Sequence, residues 1–505
     1  MTTNGTPITR TKDASINLRF STRLGFLISV IGIAVGTGNI WRFPRIVAQN
    51  GSDNGAGAFL VAWVIFLFLW SIPLVIAEYA LGRRCRMGVV GTIAKTAGRN
   101  FAWMGAFMTF VTVAITFFYS VVVGWCLYYF FQMLISPLPM SHEAALEAWD
   151  SYQDSGWPLV THGLVMGIGG WAIWRGVTSI ERVNKVLIPA LLLIVFFSVG
   201  RALTMEGAWE GVAYLFTPDW SQLSNPVIWM EALTQNAWDV GAGWGLYLTY
   251  ASYLKRKHGL VKNAFLTPIG NNLVSLLAAL MVFGTVFSVL RYEMSMARPE
   301  VLEVMRTSGP ASTGLTFIWM PQLFARMMIG QPLAILFFLG LTFAGFSSLI
   351  AQLELPVRTF IDAGMKRSKA ILLIIVVSFF LGLPSAINLN IMKNQDFVWG
   401  YALILAGVFL AAAVTIYGAE KLRREDLISD PNDWHLGRWW TWIISGFVTV
   451  GGMTLLVWWL VQEANSGVWY NPLDPTSVMN CLLQWSVMIG VFVAIGRWLA
   501  RKTLK

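Results

Sequence analysis

The sequence predicts an all-α polytopic membrane protein with about twelve transmembrane helices. Ten of these form two five-helix units of opposite topology, in which helices one and six are broken. Three observations carry this expectation. The 505 residues are 56% hydrophobic and only 12% charged, with a mean hydropathy of +0.61, whereas a soluble chain carries about 25% charged residues. Apolar windows of about 20 residues, enough to cross a bilayer as a helix, recur along the whole chain. Two of those windows are interrupted by glycines and polar residues.

In chain order the windows lie near 23–47, 57–81, 101–134, 159–176, 183–204, 227–254, 263–290, 329–361, 369–388, 397–418, 438–462 and 477–499. Residues 1–22 are polar and are expected to form a cytoplasmic N-terminal segment. Residues 23–204 would be the first unit (spans one to five) and 227–418 the second (spans six to ten). Residues 438–505 would hold spans eleven and twelve and a short cytoplasmic C-terminus. No cleavable signal peptide is expected, because the first apolar run is too long and lacks an A-x-A site.

The charges between windows set the orientation. Arg10, Lys12, Arg19 and Arg23 precede span one, and Arg83, Arg84, Arg86, Lys95 and Arg99 follow span two. Arg175, Arg182 and Lys185 lie between spans four and five. Lys255, Arg256, Lys257 and Lys262 follow span six, and Lys366, Arg367 and Lys369 follow span eight. Arg497, Arg501, Lys502 and Lys505 end the chain, whereas loop 136–158 carries Glu143, Glu147, Asp150 and Asp154 without Lys or Arg. By the positive-inside rule both termini are cytoplasmic. Loop 291–327, with Arg291, Arg298, Arg306 and Arg326, runs against the pattern, but long loops obey the rule weakly. The net charge of +10 therefore reads as an orientation signal, and no nucleic-acid partner is expected. Cys85, Cys126 and Cys481 are scattered and form neither a disulfide framework nor a metal spacing.

Span one contains "GIAVGTGN" and span six "NAWDVGAGWG", with Asp239 beside Gly241, Gly243 and Gly245. One small-x-x-x-small motif alone is commonly a helix-packing face. Two glycine clusters at matching positions of two five-helix units, each with a polar residue (Asn39, Asp239), point instead to a transporter binding site. Unwound backbone at mid-membrane must be satisfied, and lipid cannot do it. An intramembrane carboxylate is likewise a functional-site signal.

These residues resemble a known family, the neurotransmitter:sodium symporters of the LeuT type. "AVGTGNIWRFP" resembles the family's first broken helix, and "GAFLVAWVIFLFLWSIPLVIAEYALGR" its second span. "WGLYLTYASY" resembles the second half of its sixth span and "FAGFSSLIAQLE" its eighth. The resemblance implies a LeuT-type 5+5 inverted repeat. It also implies sodium-coupled symport of an amino acid by alternating access, in a bacterial cytoplasmic (inner) membrane.

By that resemblance two sodium ions lie beside the substrate. One would be held by Ala34, Asn39, Asp239 and Asn271. The other would be held by Gly32, Val35, Ala344, Ser347 and Ser348, neutral oxygens that suit a hard monovalent cation. Asp239 departs from the family pattern, where Ser or Thr is usual. Chloride-dependent relatives build an anion site from a Tyr, a Gln and two Ser. This chain keeps Gln235 and Ser275, has Trp63 in place of the Tyr, and brings the carboxylate of Asp239 to the same region. The expectation is that Asp239 replaces chloride as a fixed counter-charge, so chloride is not required. Two other roles stay open: Asp239 protonated when sodium leaves, or Asp239 holding a substrate ammonium.

The implied substrate pocket comprises Ile33, Ala34, Gly36, Thr37, Gly38, Ile115, Tyr119, Trp238, Gly241, Trp244, Ser348 and Gln352. Half-helix N–H groups at Thr37 and Gly38, with the Tyr119 hydroxyl, would take a carboxylate. Gly36 stands where monoamine carriers have Asp, which favours an amino acid. Trp238 and Trp244 are expected to close a lid over an apolar or aromatic side chain. The outer gate would be Arg42 with Asp396. At the inner gate Asp362 matches the family's acid, while its usual Arg partner falls on Asn17, leaving Arg19 as the substitute. Phe20 stands where the family has Trp.

An enzyme is not expected. His142, His162, His258 and His435 are dispersed, and no H-E-x-x-H, G-x-S-x-G or phosphate-binding loop occurs. A sodium-dependent amino acid sensor, or a carrier of a non-proteinogenic amino acid or amino-sulfonate osmolyte, remains an alternative. The Trp-rich "WWTWIISG" and "WWLVQE" of span eleven read as lipid-interface surface, and spans eleven and twelve leave monomer and homodimer both open.

Overall fold

The computed structural model describes residues 19–254, 259–307, 314–429, 431–465 and 469–504. Arg10, Lys12, Asn17, Lys255, Arg256, Lys257, His258 and Lys505, used in the sequence reading, lie outside the described residues.

Span one begins at Arg23, where the Thr22 side chain caps the helix by accepting from the Gly25 N–H at 2.9 Å. It runs as Arg23–Ala34, stops at Val35 and Gly36, and resumes as Gly38–Gln49 with a bend of 46°. Span six breaks in the same way. Pro226–Val240 is capped by Asn225 and ends at Gly241, and Leu246–Ala251 starts after Gly245. Gly241, Gly243 and Gly245 have φ of 70°, 92° and 89°, a left-handed conformation that side chains with a Cβ disfavour. At Gly243 a Cβ would also lie 2.6 Å from the Gly407 backbone.

The other spans are continuous: Gly57–Cys85, Arg99–Ile135, Trp157–Ile173, Val177–Leu203, Val261–Glu293, Gly330–Asp362, Arg367–Ile387, Leu389–Tyr417, Trp439–Ala464 and Val478–Thr503. Span two widens into a π-turn at Leu67–Ser71 just before Pro73, which accommodates the proline's missing N–H. Two regions read as loops contain helices. His142–Gln153 lies in 136–158, and Arg298–Arg306 and Leu315–Ala325 lie in 291–327. They are too short for a span-length window to reveal.

Spans three and eight are both long and pack along each other at the centre. The first half of span one lies against spans five, seven and eight, and both halves of span six lie against span two. Spans nine, eleven and twelve keep an exposed apolar side, with Leu372, Phe380, Trp442, Val487 and Trp498 on the surface, as lipid-facing helices do.

Candidate ion and substrate site

The two breaks face each other. All the expected pocket residues except Ile115 line one cavity of about 40 Å³, together with Asn39, Trp41, Arg42, Asp239 and Leu246. Ile115 is buried in the core but does not reach the cavity.

Next to the cavity, the hydroxyls of span eight meet the carbonyls of span one. Ser347 Oγ donates within reach of Val35 O at 3.2 Å and Ala344 O at 2.9 Å. Ser348 Oγ lies 3.1 Å from Ile33 O and 3.4 Å from Gly32 O. The expected span-one and span-eight oxygens therefore meet as two adjacent sets, Ser347 with Val35 and Ala344, and Ser348 with Gly32. All five residues are buried.

A second polar cluster joins spans one, six and seven. Asn39 Nδ2 donates to Asn271 Oδ1 and to Ser275 Oγ, both at 2.7 Å, and Ser275 Oγ donates to Asp239 Oδ2 at 3.1 Å. The other Asp239 oxygen, Oδ1, makes no well-formed hydrogen bond and lies 3.0 Å from where a Gly38 Cβ would stand, with the Gln235 side-chain amide also close to the carboxylate. Asn39 Oδ1 is turned to its own span and accepts from the Gly36 N–H at 2.8 Å. Gln235 joins through Arg42, whose Nε donates to Gln235 Oε1 at 3.2 Å. Trp63 stands apart. Its ring packs on Phe43 with centroids 4.5 Å apart and planes tilted by 39°, and its backbone carbonyl accepts from Asn236.

At another edge of the cavity the Thr37 N–H donates to Tyr119 Oη at 3.3 Å. A Cβ on Gly36 would fall 2.6 Å from Ser348 Oγ and 2.9 Å from Tyr119 Oη, so the amine-holding Asp of monoamine carriers has no room here. Trp238 and Trp244 stack on each other with centroids 5.3 Å apart, and Trp244 Nε1 bridges the break to Ala237 O at 2.8 Å. Stacking and that bond draw both indoles together and leave room for only a few water molecules.

Arg42 sits above the cavity, 5.5 Å over the Trp238 ring, with its nearest contact to Asp396 at 3.8 Å. Beyond it lies a vestibule of about 370 Å³ lined by Arg42, Arg45, Glu231, Lys393, Asp396 and Tyr401 among others. At the opposite end Asp362 does not pair with Arg19, which is exposed. Asp362 instead meets Arg358, one turn earlier on its own helix, at 3.1 Å, and accepts from the Gly88 N–H at 2.5 Å. The fixed i,i+4 geometry of one helix supplies a nearer partner than the chain N-terminus. Phe20 is fully buried against Phe26 and Tyr250.

Sequence reasoning passed over two buried acids that hold this frame, Glu78 and Glu354. Glu78 of span two accepts from Gly243 N–H at 2.6 Å and Leu248 N–H at 3.0 Å, and so secures the glycine turn of span six. Glu354 accepts from Tyr253 Oη at 2.7 Å and pairs with Arg367 of span nine at 2.5 Å. The signal was present, since a carboxylate in an apolar span marks a structural or functional contact.

Broken helices around a buried, oxygen-lined cavity define a polytopic helical secondary carrier. The sequence matches the profile described as the Sodium:neurotransmitter symporter family over residues 18–158 and 146–504. It is 32% identical over 458 residues to the uncharacterized sodium-dependent transporter MJ1319 of Methanocaldococcus jannaschii, covering 87% of this chain and 89% of that protein. It is 30% identical over 442 residues to the sodium-dependent serotonin transporter of Drosophila melanogaster, covering 78% and 69%. The fold is similar to the crystal structure of MhsT in complex with L-phenylalanine, with a TM-score of 0.74 and 28% identity over 87% of this chain and 99% of that one. The chain belongs to the sodium:neurotransmitter symporter family, and so to the sodium-dependent, multi-pass membrane transporters rather than to enzymes.

Proposed function

We propose that this protein imports a neutral amino acid together with sodium, and that Asp239 supplies the fixed negative charge that lets it work without chloride. The observation that carries the reading is Asp239 Oδ1, without a well-formed hydrogen bond and aimed at the span-one break beside Asn39, Asn271 and Ser275. A buried carboxylate oxygen without a well-formed hydrogen bond fits a cation as its partner. One negative charge a few ångströms from sodium in a low-dielectric site contributes several kcal/mol, whichever group supplies it. Sodium entry here turns the Asn39 amide so that its oxygen, now on the Gly36 N–H, faces the ion. The second ion sits among Gly32, Val35, Ala344, Ser347 and Ser348, where neutral oxygens hold without trapping.

The substrate's carboxylate takes the Thr37 and Gly38 N–H groups and the Tyr119 hydroxyl. Its side chain parts Trp238 from Trp244, and the bound L-phenylalanine of MhsT supports an apolar or aromatic side chain at that place. Residues 23–204 and 227–418 act as two inverted units about this site, in a bacterial inner membrane with both termini cytoplasmic. Arg42 and Asp396 then close the outer side, and Asp362 lies on the inner side.

The test is uptake of a panel of labelled amino acids into proteoliposomes under an inward sodium gradient, in chloride and in gluconate. Accumulation above equilibrium that is indifferent to the anion is the expected result. Collapse in gluconate would remove Asp239 from its role, and sodium-dependent binding without accumulation would make the protein a sensor.

A further inference from the structure

The first half of span one shows span five a face built from Gly25, Ser29 and Gly32, residues three or four apart and so on one side of the helix. Gly25 and Gly32 lie directly against span five. A Cβ on Gly25 would collide with the Glu181 carboxylate, and one on Gly32 would fall 3.2 Å from Ile188 and 3.4 Å from Asn184 Cγ. Between them lies an anomaly. Asn184 is fully buried with neither its Oδ1 nor its Nδ2 hydrogen-bonded, and Ser29, fully buried as well, has an unpartnered Oγ. Buried amides and hydroxyls are almost always paired, so an unsatisfied set calls for an explanation such as an ion or a water.

The place of this set in the fold supplies one. At a rise of 1.5 Å per residue, Ser29 lies about 4.5 Å along the helix from Gly32 and about 6 Å from Gly25. Gly32 contributes a carbonyl to the oxygen cluster at Ser347 and Ser348. At the other end Glu181 accepts from the Ser21 N–H at 2.9 Å and pairs at 2.8 Å with Lys185, which is 42% exposed. Polar groups thus descend at one-turn intervals from the span-one/span-eight cluster to the chain's N-terminal side.

We infer that Ser29 Oγ and Asn184 Oδ1 form a transient sodium station, on the path by which the ion of the span-one/span-eight site leaves toward Glu181 and the cytoplasm. This rests on the sodium-coupled reading above. Two neutral oxygens are too few to retain sodium, and water admitted along the span-one/span-five seam completes its shell. Glu181 does not trap the ion because Lys185 already neutralises it. The glycines at 25 and 32 keep the seam narrow when closed and passable when span one moves.

The test uses the full-length protein purified and reconstituted, with three variants: Asn184→Leu, Asn184→Asp and Ser29→Ala. Two quantities are read: the sodium half-saturation of substrate binding at equilibrium, and inhibition of uptake by sodium loaded inside the vesicle. Asn184→Leu should slow maximal uptake by at least about fivefold while the equilibrium half-saturation stays within about twofold, the signature of a group that acts in passage rather than at rest. Asn184→Asp should deepen the station and move internal-sodium inhibition to a concentration lower by at least about threefold. Ser29→Ala should follow Asn184→Leu with a smaller effect. The inference is overturned if the variants keep the parental turnover and internal-sodium inhibition, or if half-saturation rises in step with the loss of rate. Should Asn184→Leu fail to fold, the near-isosteric Asn184→Asp and Ser29→Ala decide the matter by the same two readings. Absence of sodium-driven uptake in the parent protein would instead overturn the transport reading itself.

Discussion

One carboxylate oxygen of Asp239 accepts a hydrogen bond from Ser275 at 3.1 Å, while the other faces Gly38 of the first broken span without a well-formed hydrogen bond. In the proposed reading, this carboxylate is the counter-charge to sodium. Replacing it by Asp239→Ser should raise the sodium half-saturation of uptake by at least about tenfold, equivalent to about 1.4 kcal/mol. It should also make the residual uptake respond to chloride, because the anion can then occupy the space of the lost charge beside Gln235 and Ser275. Sodium titrations in chloride and in gluconate check both. An Asp239→Ser protein with parental sodium affinity would leave the carboxylate without this role.

Gly36 is constrained from two directions, because a Cβ added there would lie 2.6 Å from Ser348 Oγ and 2.9 Å from Tyr119 Oη. Gly36→Ala should weaken substrate binding by roughly tenfold to a hundredfold, in keeping with the ~1–3 kcal/mol cost of overpacking a filled site. Equilibrium binding of labelled substrate measures it. Parental affinity would show that Tyr119 and Ser348 swing aside freely and that the pocket does not depend on glycine here.

The legible parts of this protein were those that contrast with an apolar background. Gly241, Gly243 and Gly245 inside a span, or Ser347 and Ser348 beside Ala344, stand out because membrane helices offer few reasons for them. What depended on inter-helix register was not legible. The expected partner of Asp362, Arg19, lies on another segment and does not reach it, whereas the contact made, to Arg358 at 3.1 Å, is an i,i+4 pair that the spacing along span eight could have offered. The mutual stacking of Trp238 and Trp244 depends on the path of the chain through five residues of unwound backbone, which no helical period describes. Glu78 was readable as an intramembrane acid, but its partners, the Gly243 and Leu248 N–H groups, belong to another span. The short helix His142–Gln153 escaped because its length falls below that of a span.

Glu354 is fully buried and meets Arg367 at 2.5 Å, with Tyr253 donating to the same carboxylate. Removing one partner of such a pair strands a charge and costs about 3–5 kcal/mol, whereas replacing both by apolar groups is often close to neutral. Arg367→Met should therefore lower the thermal unfolding temperature in detergent markedly. The double variant Glu354→Leu with Arg367→Met should recover much of the loss, leaving mainly the cost of the unpaired Tyr253 hydroxyl. Equal destabilisation by the single and double variants would mean that the two residues act through separate contacts.

Arg42 is the point at which charge and stacking can be separated. Its guanidinium lies 3.8 Å from Asp396, 3.2 Å from Gln235 Oε1 and 5.5 Å over the Trp238 ring. The Asp396 side chain is 26% exposed, and a long, partly solvated pair contributes about 0–1 kcal/mol. The cation–π contact over the Trp238 ring contributes up to about 2 kcal/mol, and a charge-assisted hydrogen bond about 1.5–3 kcal/mol. Asp396→Asn should thus speed dissociation of bound substrate by less than about fivefold, while Arg42→Ala should speed it by more than about tenfold. Stopped-flow displacement of labelled substrate resolves the two. Should both variants release substrate at the same faster rate, the ion pair alone would hold the lid, and the contacts of Arg42 with Trp238 and Gln235 would be incidental to closure.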